Sequence, residues 1–194
     1  VILKADRLPK WFFDNNTDKT FAENLAEFKD KKKLRFLQIG CFSGNSSRWL
    51  LSEILTAPDS TLVDVDPWCG NVEHEVYEWD FVESAYDEQV EPYGKKVEKH
   101  KEFSQDYLAN HRDERFDFIY IDGDHLPEAA YADGVNSWDL LKVGGLMAFD
   151  DYEWQHPKGF EYNPKPAIDK FMREHKDDSE VVSIGWQVWL RKVK

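Results

Sequence analysis

Leu34-Arg35-Phe36-Leu37-Gln38-Ile39-Gly40-Cys41-Phe42-Ser43-Gly44-Asn45-Ser46-Ser47 is the stretch that decides the fold of this chain. The apolar run Leu34–Ile39 has the length and content of a buried β-strand. It breaks at Gly40. From Ser46 to Leu55, Trp49, Leu50 and Ile54 recur at helical spacing, until Ala57-Pro58-Asp59 stops them. A strand thus leads through Gly-x-x-x-Gly into a helix. Glycine there allows a sharp turn and a close approach of ligand to backbone, and Ser46 is placed to cap the helix or bond that ligand. Taken alone, the spacing also fits a plain strand-to-helix turn.

The same alternation extends outward in both directions. Thr61–Val65 reads as a second strand, ended by Asp66-Pro67, and residues 71–93 as an acidic, aromatic helix closed by Pro92 and Gly94. A third strand is expected at Lys96–His100 and a helix at Ser104–His111. Phe116–Ile121 is the clearest buried strand, ended by Asp122-Gly123-Asp124. A helix over Pro127–Leu141 would place Tyr131, Val135, Trp138 and Leu141 on one face, and Gly144-Gly145 would turn the chain into a fifth strand, Leu146–Phe149. Pro166 opens a helix carrying Ile168, Phe171 and Met172. Val181–Ile184 and Trp186–Leu190 straddle Gly185 as an antiparallel pair, in which Trp186 and Trp189 read as sheet packing. Residues 1–33 form a lead-in with Trp11, Phe12, Phe13, Phe21, Leu25 and Phe28 at helical spacing. Five strand–helix alternations imply right-handed crossovers and a mostly parallel sheet, a Rossmann-like α/β fold. Ligands of such sheets collect beyond the carboxyl ends of the strands, near the point where strand order reverses.

Composition narrows the function. With 194 residues, 41% hydrophobic, the chain is expected to be one domain, 1–194. No run approaches the ~20 apolar residues of a membrane span, and the first residues lack the layout of a secretory signal. Cys41 and Cys69 form no C-x-x-C pair, so neither a disulfide framework nor zinc is expected, and a cytoplasmic location is. The net charge of −13 disfavours nucleic acid as a partner, because a protein gripping phosphates carries a basic face. The basic run Lys29–Arg35 reads as a solvated turn.

Beside the glycine loop the second strand delivers two carboxylates, Asp64 and Asp66, either of which can accept hydrogen bonds from the ribose hydroxyls of a nucleoside. Asp66, at the strand end and before proline, is the preferred one. A dinucleotide enzyme would show G-x-G-x-x-G for its pyrophosphate; the wider spacing here suits a ligand without phosphate. A nicotinamide oxidoreductase is therefore a poor fit.

Four segments carry a resemblance: Gln38-Ile39-Gly40-Cys41-Phe42-Ser43-Gly44-Asn45-Ser46, Val65-Asp66-Pro67-Trp68, Ile121-Asp122-Gly123-Asp124-His125 and Gly144-Gly145-Leu146-Met147-Ala148-Phe149-Asp150-Asp151-Tyr152. Over residues 34–155 the chain resembles the class I S-adenosylmethionine-dependent methyltransferases, most nearly the macrocin-type O-methyltransferases and the methyltransferase-24 group. The resemblance implies a mostly parallel seven-stranded sheet with helices on both faces and a C-terminal antiparallel pair. It implies S-adenosylmethionine as cofactor, held by Gln38, Gly40, Cys41, Phe42, Ser43, Gly44, Ser46, Asp66 (or Asp64), Trp68 and Asp122, with Phe103 and Ser104 near the adenine. Gln38 stands where the family has an acid, keeping hydrogen-bonding ability and losing charge. Phe103 also fits ordinary core packing.

Asp122 ends one predicted strand and Asp150 and Asp151 end its neighbour, about 4.8 Å away. Carboxylates brought together repel unless protonated or bound to a cation, and an oxygen-rich set suits Mg²⁺ or another divalent ion. Such an ion can bind an acceptor hydroxyl, lower its pKa and aim it at a methyl group, while Asp124 or His125 takes the proton. In the resembling enzymes the metal ligands correspond to Asp122, Asp150 and Asp151, and the base to Asp124. The same aspartates also fit simple turns and caps. Tyr152, Trp154, His156 and Phe160, with the N-terminal aromatics, suit either a cover over the acceptor or the surface of a homo-oligomer. The expectation is an O-methyltransferase for a small sugar-like or phenolic acceptor. A metal-independent N- or O-methyltransferase and a non-catalytic binding module are the rivals.

Overall fold

The computed structural model describes residues 8–70, 77–156 and 158–194. Residues 1–7 of the lead-in and 71–76 of the expected acidic helix lie outside that set. Helices α1 (Trp11–Asp14) and α2 (Thr17–Asn24) and a 3₁₀ turn, Ala26–Phe28, precede β1 (Arg35–Ile39). Then follow α3 (Asn45–Glu53), β2 (Thr61–Val65), α4 (Trp79–Val90), β3 (Val97–His100), α5 (Ser104–Asn110), β4 (Phe116–Ile121) and α6 (Pro127–Trp138). The chain closes with β5 (Leu141–Phe149), α7 (Lys165–Glu174), β6 (Ser179–Ile184) and β7 (Val188–Lys192).

The strands form one seven-stranded sheet in the order β3-β2-β1-β4-β5-β7-β6. β1 through β5 run parallel, and β7 lies antiparallel to both β5 and β6. The order reverses at β1: the chain steps outward through β2 and β3, then returns to β4 on the other side. Alternate residues of each strand serve opposite faces. Phe36, Leu62, Phe118 and Trp189 pack on one face under α2, α3 and α4, while Leu37, Val63, Ile119 and Met147 pack on the other under α5, α6 and α7. The lead-in is part of the first core. Phe21 is fully buried, its ring 4.8 Å from Tyr120 and 5.3 Å from Trp189.

Two expectations need correction. The helix after β4 stops at Trp138, Leu141 opens β5, and Val135 points to solvent at 38% exposure. Its buried face is Ala130, Asp133, Gly134, Ser137 and Trp138. The axis sits so close to its neighbours that a Cβ on Gly134 would lie 2.7 Å from the Phe149 ring. Close packing selected small residues, so of the expected face Trp138 is buried and Tyr131 partly buried, while Val135 is not. Gly144-Gly145 also does not begin β5. Leu141 already pairs with Phe116, and register is recovered at Phe118 with Leu146, so both glycines lie in a bulge inside the strand.

Candidate active site

Backbone bonds tie the carboxyl ends of the parallel strands into one rim. The Asp66 amide donates to His100 O (3.1 Å), Gly40 to Val65 O (2.9 Å), Asp122 to Ile39 O (2.8 Å) and Asp150 to Ile121 O (2.9 Å). Gly40 has φ +84°, and a Cβ there would stand 1.9 Å from Asp122 O, so the two central loops touch backbone to backbone. Above this rim opens a cavity of about 800 Å³, within the range of small-molecule sites.

One wall is the glycine loop. Asp66 Oδ2 accepts the amides of Cys41 (2.8 Å) and Phe42 (3.0 Å), and its Oδ1 accepts that of Trp68 (2.7 Å). Phe42 and Trp68 both have positive φ, +45° and +42°, conformations that non-glycine residues hold only when fixed from outside. The Asp66 carboxylate and the bond from Trp68 Nε1 to Phe42 O (2.9 Å) do the fixing. Burial pushes the Asp66 carboxyl up, and these amides pull it back down. Gln38 Nε2 donates to Ser46 Oγ (2.6 Å) and Gly40 O (3.0 Å), while its buried Oε1 has no partner among the described residues. Gly40, Cys41, Phe42, Ser43, Ser46 and Asp66 line the cavity. Gln38, Gly44, Asp64 and Trp68 stand behind that wall. Asp64 is fully buried and bonded by the Tyr86 hydroxyl at 2.8 Å, and burial pushes it up to about 7.

The ends of β3 and α6 supply a second wall. Phe103 is 58% exposed and faces the cavity, so it is not a core residue. Ser104 Oγ and Gln105 Nε2 each donate to Asp133 Oδ1 at 2.6 Å. Sequence reasoning missed Gln105 and Asp133. The available signal was a carboxylate on the small-residue face of a helix, where apolar periodicity does not look.

The third wall is acidic. Donor atoms of Asp122, His125 and Asp151 lie within 4.8 Å of one another. His125 Nε2 is 2.9 Å from Asp151 Oδ2 and 3.9 Å from Asp122 Oδ1, and its ring is 5.1 Å from that of Trp154. Asp150 lines the cavity as well but lies outside that group of three. The Tyr120 hydroxyl, Gln187 Nε2 (3.0 Å) and the Asp151 amide (2.8 Å) are bonded to its carboxylate. Tyr120 is also 3.1 Å from Asp122 Oδ2, so its one hydroxyl lies between the two carboxylates. Burial and then Asp151 push the Asp122 carboxyl up to about 6, against the pull of His125. Burial, Asp122 and Asp151 push Asp150 well above the carboxylate range. Asp124 lines the cavity and caps the turn to α6 by accepting the Leu126 amide at 3.1 Å.

Trp154, Trp186, Trp11 and Phe12 complete the enclosure. Trp186 therefore differs from its expected packing role, whereas Trp189 is fully buried. Tyr152 instead reaches Asp169 (2.7 Å) from the second core, His156 is buried, and Phe160 is exposed away from the cavity. No lysine or arginine lines the cavity among the described residues, against seven acidic side chains, Glu128 included. No described helix is long and apolar enough to cross a membrane.

This sheet order, with a glycine loop after β1 and acids after β2, β4 and β5, defines a class I S-adenosylmethionine-dependent methyltransferase. A family model described as a methyltransferase domain, that of the methyltransferase-24 group, matches residues 37–152, and the chain belongs to that family. Uncharacterized protein R132 of Acanthamoeba polyphaga mimivirus is 24% identical over 184 residues, covering 89% of this chain and 77% of the viral one. The O-methyltransferase from Bacillus cereus in complex with S-adenosylhomocysteine has a similar fold, with TM-score 0.65, 16% identity, and 99% of this chain and 84% of that one covered. TomG of Streptomyces achromogenes, an O-methyltransferase in complex with S-adenosylmethionine, gives 0.63 at 17% identity over 93% and 80%. MycE of the mycinamycin pathway, in complex with Mg and S-adenosylhomocysteine, gives 0.62 at 12% identity; it covers 91% of this chain, which spans about half of MycE.

Proposed function

We propose that the chain is an O-methyltransferase for a small, uncharged hydroxylated acceptor, assisted by a divalent cation. The observation that carries this reading is the meeting of Asp122, His125 and Asp151 on one cavity wall. Two carboxylate oxygens suit Mg²⁺ or Mn²⁺, and the imidazole nitrogen favours Mn²⁺ of the two; a cation would relieve the repulsion that, after burial, raises Asp122 and Asp150. S-adenosylmethionine, when bound, supplies a methyl group on a cationic sulfonium. The glycine loop and Asp66 hold the nucleoside side, and Phe103 and Ser104 flank the adenine. Asp122 and Asp151 would hold the cation, with His125 as third donor; Asp150 is held by Tyr120 and Gln187. Asp124 would take the acceptor hydroxyl's proton, so that the oxygen could accept the methyl group the bound cofactor would supply. The acidic, lysine-free lining excludes a phosphorylated acceptor by repulsion, and aromatic walls suit the apolar face of a sugar or a phenol.

A second reading has its own support. The 2.9 Å Asp151–His125 pair is also a carboxylate-oriented imidazole base that needs no cation. Turnover of a panel of sugars and phenols, measured with Mg²⁺ and with EDTA, separates the two. Loss on chelation with rescue by Mg²⁺ supports the first, and undiminished turnover supports the second. Methylation confined to amines would overturn the O-methyl assignment.

A further inference from the structure

A second, smaller cavity of about 250 Å³ adjoins the first, between α2 and the β6–β7 hairpin; Asn15, Thr17 and Trp186 line both. Helical spacing brings Thr17, Thr20 and Asn24 onto one face of α2, along one side of this groove. The hairpin forms the other side, and the Ser183 hydroxyl donates to Asn24 Oδ1 (3.3 Å), joining the two. The hairpin turn is firmly held. Trp186 O accepts the Tyr152 amide (2.9 Å), and the buried Gln187 donates to Asp150 Oδ2 (3.0 Å) while accepting Trp189 Nε1 (3.0 Å). Trp186 itself stays 47% exposed, where the two cavities meet.

The lining of the groove decides what fits it. Among the described residues it carries no lysine or arginine and a single acid, the exposed Glu23. The other polar side chains are hydroxyls and amides, which both donate and accept. Those of Asn15 and Thr20 make no hydrogen bond among the described residues, so they are open to a ligand. Such groups beside one flat indole match a sugar, whose hydroxyls need partners of both kinds and whose C–H face needs an apolar one. An anionic ligand would find no counter-charge, and a phenyl ring would strip water from the polar groups without replacing it. From this geometry we infer that the acceptor is an oligosaccharide. Its terminal sugar enters the larger cavity for methylation, and the next sugar unit lies on Trp186 with hydroxyls toward Asn15 and Thr20. This rests on the O-methyltransferase reading above and names its substrate class. The turn that seats the second unit also holds Asp150 through Gln187, so one element sets the spacing between the groove and the acidic wall.

The test measures methyl transfer by the full chain from labelled S-adenosylmethionine with Mg²⁺ present. Glucose, galactose, mannose and N-acetylglucosamine are compared with maltose, cellobiose, lactose, mannobiose and chitobiose, beside a set of simple phenols. For a sugar that is methylated, the matching disaccharide should have a kcat/KM higher by about tenfold or more, the worth of one hydrogen bond with one stacked face. The gain should lie in KM, because the groove is remote from the reacting hydroxyl. In Thr20→Arg a long side chain fills the groove on a helix that tolerates it, so the ratio of disaccharide to monosaccharide kcat/KM should fall about tenfold. Should that variant not fold, the wild-type ratio decides alone. Equal efficiency with mono- and disaccharides, a ratio unmoved in folded Thr20→Arg, or methylation of phenols alone overturns the inference and leaves the O-methyltransferase reading standing. A chain that methylates neither sugars nor phenols removes that reading, and the inference with it.

Discussion

Gly40 and Gly144 have nearly the same backbone, φ +84° and +85°, in different surroundings, so the pair separates two costs of adding a methyl group. Alanine at either site must hold a left-handed conformation, at about 1–2 kcal/mol. At Gly144 nothing among the described residues lies within 4 Å of the new Cβ, and that is the whole cost. At Gly40 the methyl would stand 1.9 Å from Asp122 O and 2.9 Å from Gly123 Cα. Backbone cannot step aside by changing rotamer, so β1 and β4 must part at their ends. Overpacking adds about 1–3 kcal/mol, and straining the bond from the Asp122 amide to Ile39 O adds about 1 more. Gly40→Ala should therefore lose about 3–6 kcal/mol, at about 2–4 °C per kcal/mol for a chain of this size. We expect a fall in Tm of about 6–24 °C, against about 2–8 °C for Gly144→Ala, by circular dichroism. Affinity for S-adenosylhomocysteine should drop only in Gly40→Ala, because only there does the cofactor loop move. If the two variants melt together and bind the ligand equally, the contact between the loops is not what builds the site.

Replacing both Asp150 and Asp151 by Asn should reduce turnover about 100-fold or more while leaving S-adenosylhomocysteine affinity near wild type; unchanged turnover would remove the acidic wall from the chemistry. Phe21→Ala should cost about 3–5 kcal/mol, read by urea unfolding, since its ring touches Phe12, Trp49, Phe118, Tyr120 and Trp189; a neutral result would mean the lead-in is not part of the core. Asp64 is held up at about 7, far above 3.8, so the folded chain carries more protons than the unfolded one between those values. Stability should therefore fall as pH rises through that window, and Asp64→Asn should flatten the fall, seen as a Tm gain at high pH and little change at low pH; parallel curves for the two proteins would refute it.

Much of the fold was legible because parallel strands buried on both faces write themselves as unbroken apolar runs. Thr61–Val65 and Phe116–Ile121 were readable to the residue, and the turns after them carried the acids that now meet at the rim. The Pro127–Leu141 helix was misread at its end and at Val135 on its expected inner face, because contact with Phe149 demanded Gly134, not a large apolar residue. Asp133 was overlooked for the same reason. His125 joined Asp122 and Asp151, while Asp150, expected beside them, is occupied by Tyr120 and Gln187. Gln187 lies 37 positions further along the chain, and no local pattern reports such a partner.

The order of strands and helices, and the loops that face the ligand, follow from local chemistry: periodicity, glycine at forced turns, carboxylates at strand ends. Local patterns could not specify which oxygen of which carboxylate faces the cavity. That depends on donors arriving from β4, α5 and the turn before β7, and therefore on side chains brought together only when the sheet closes its order from β3 to β6.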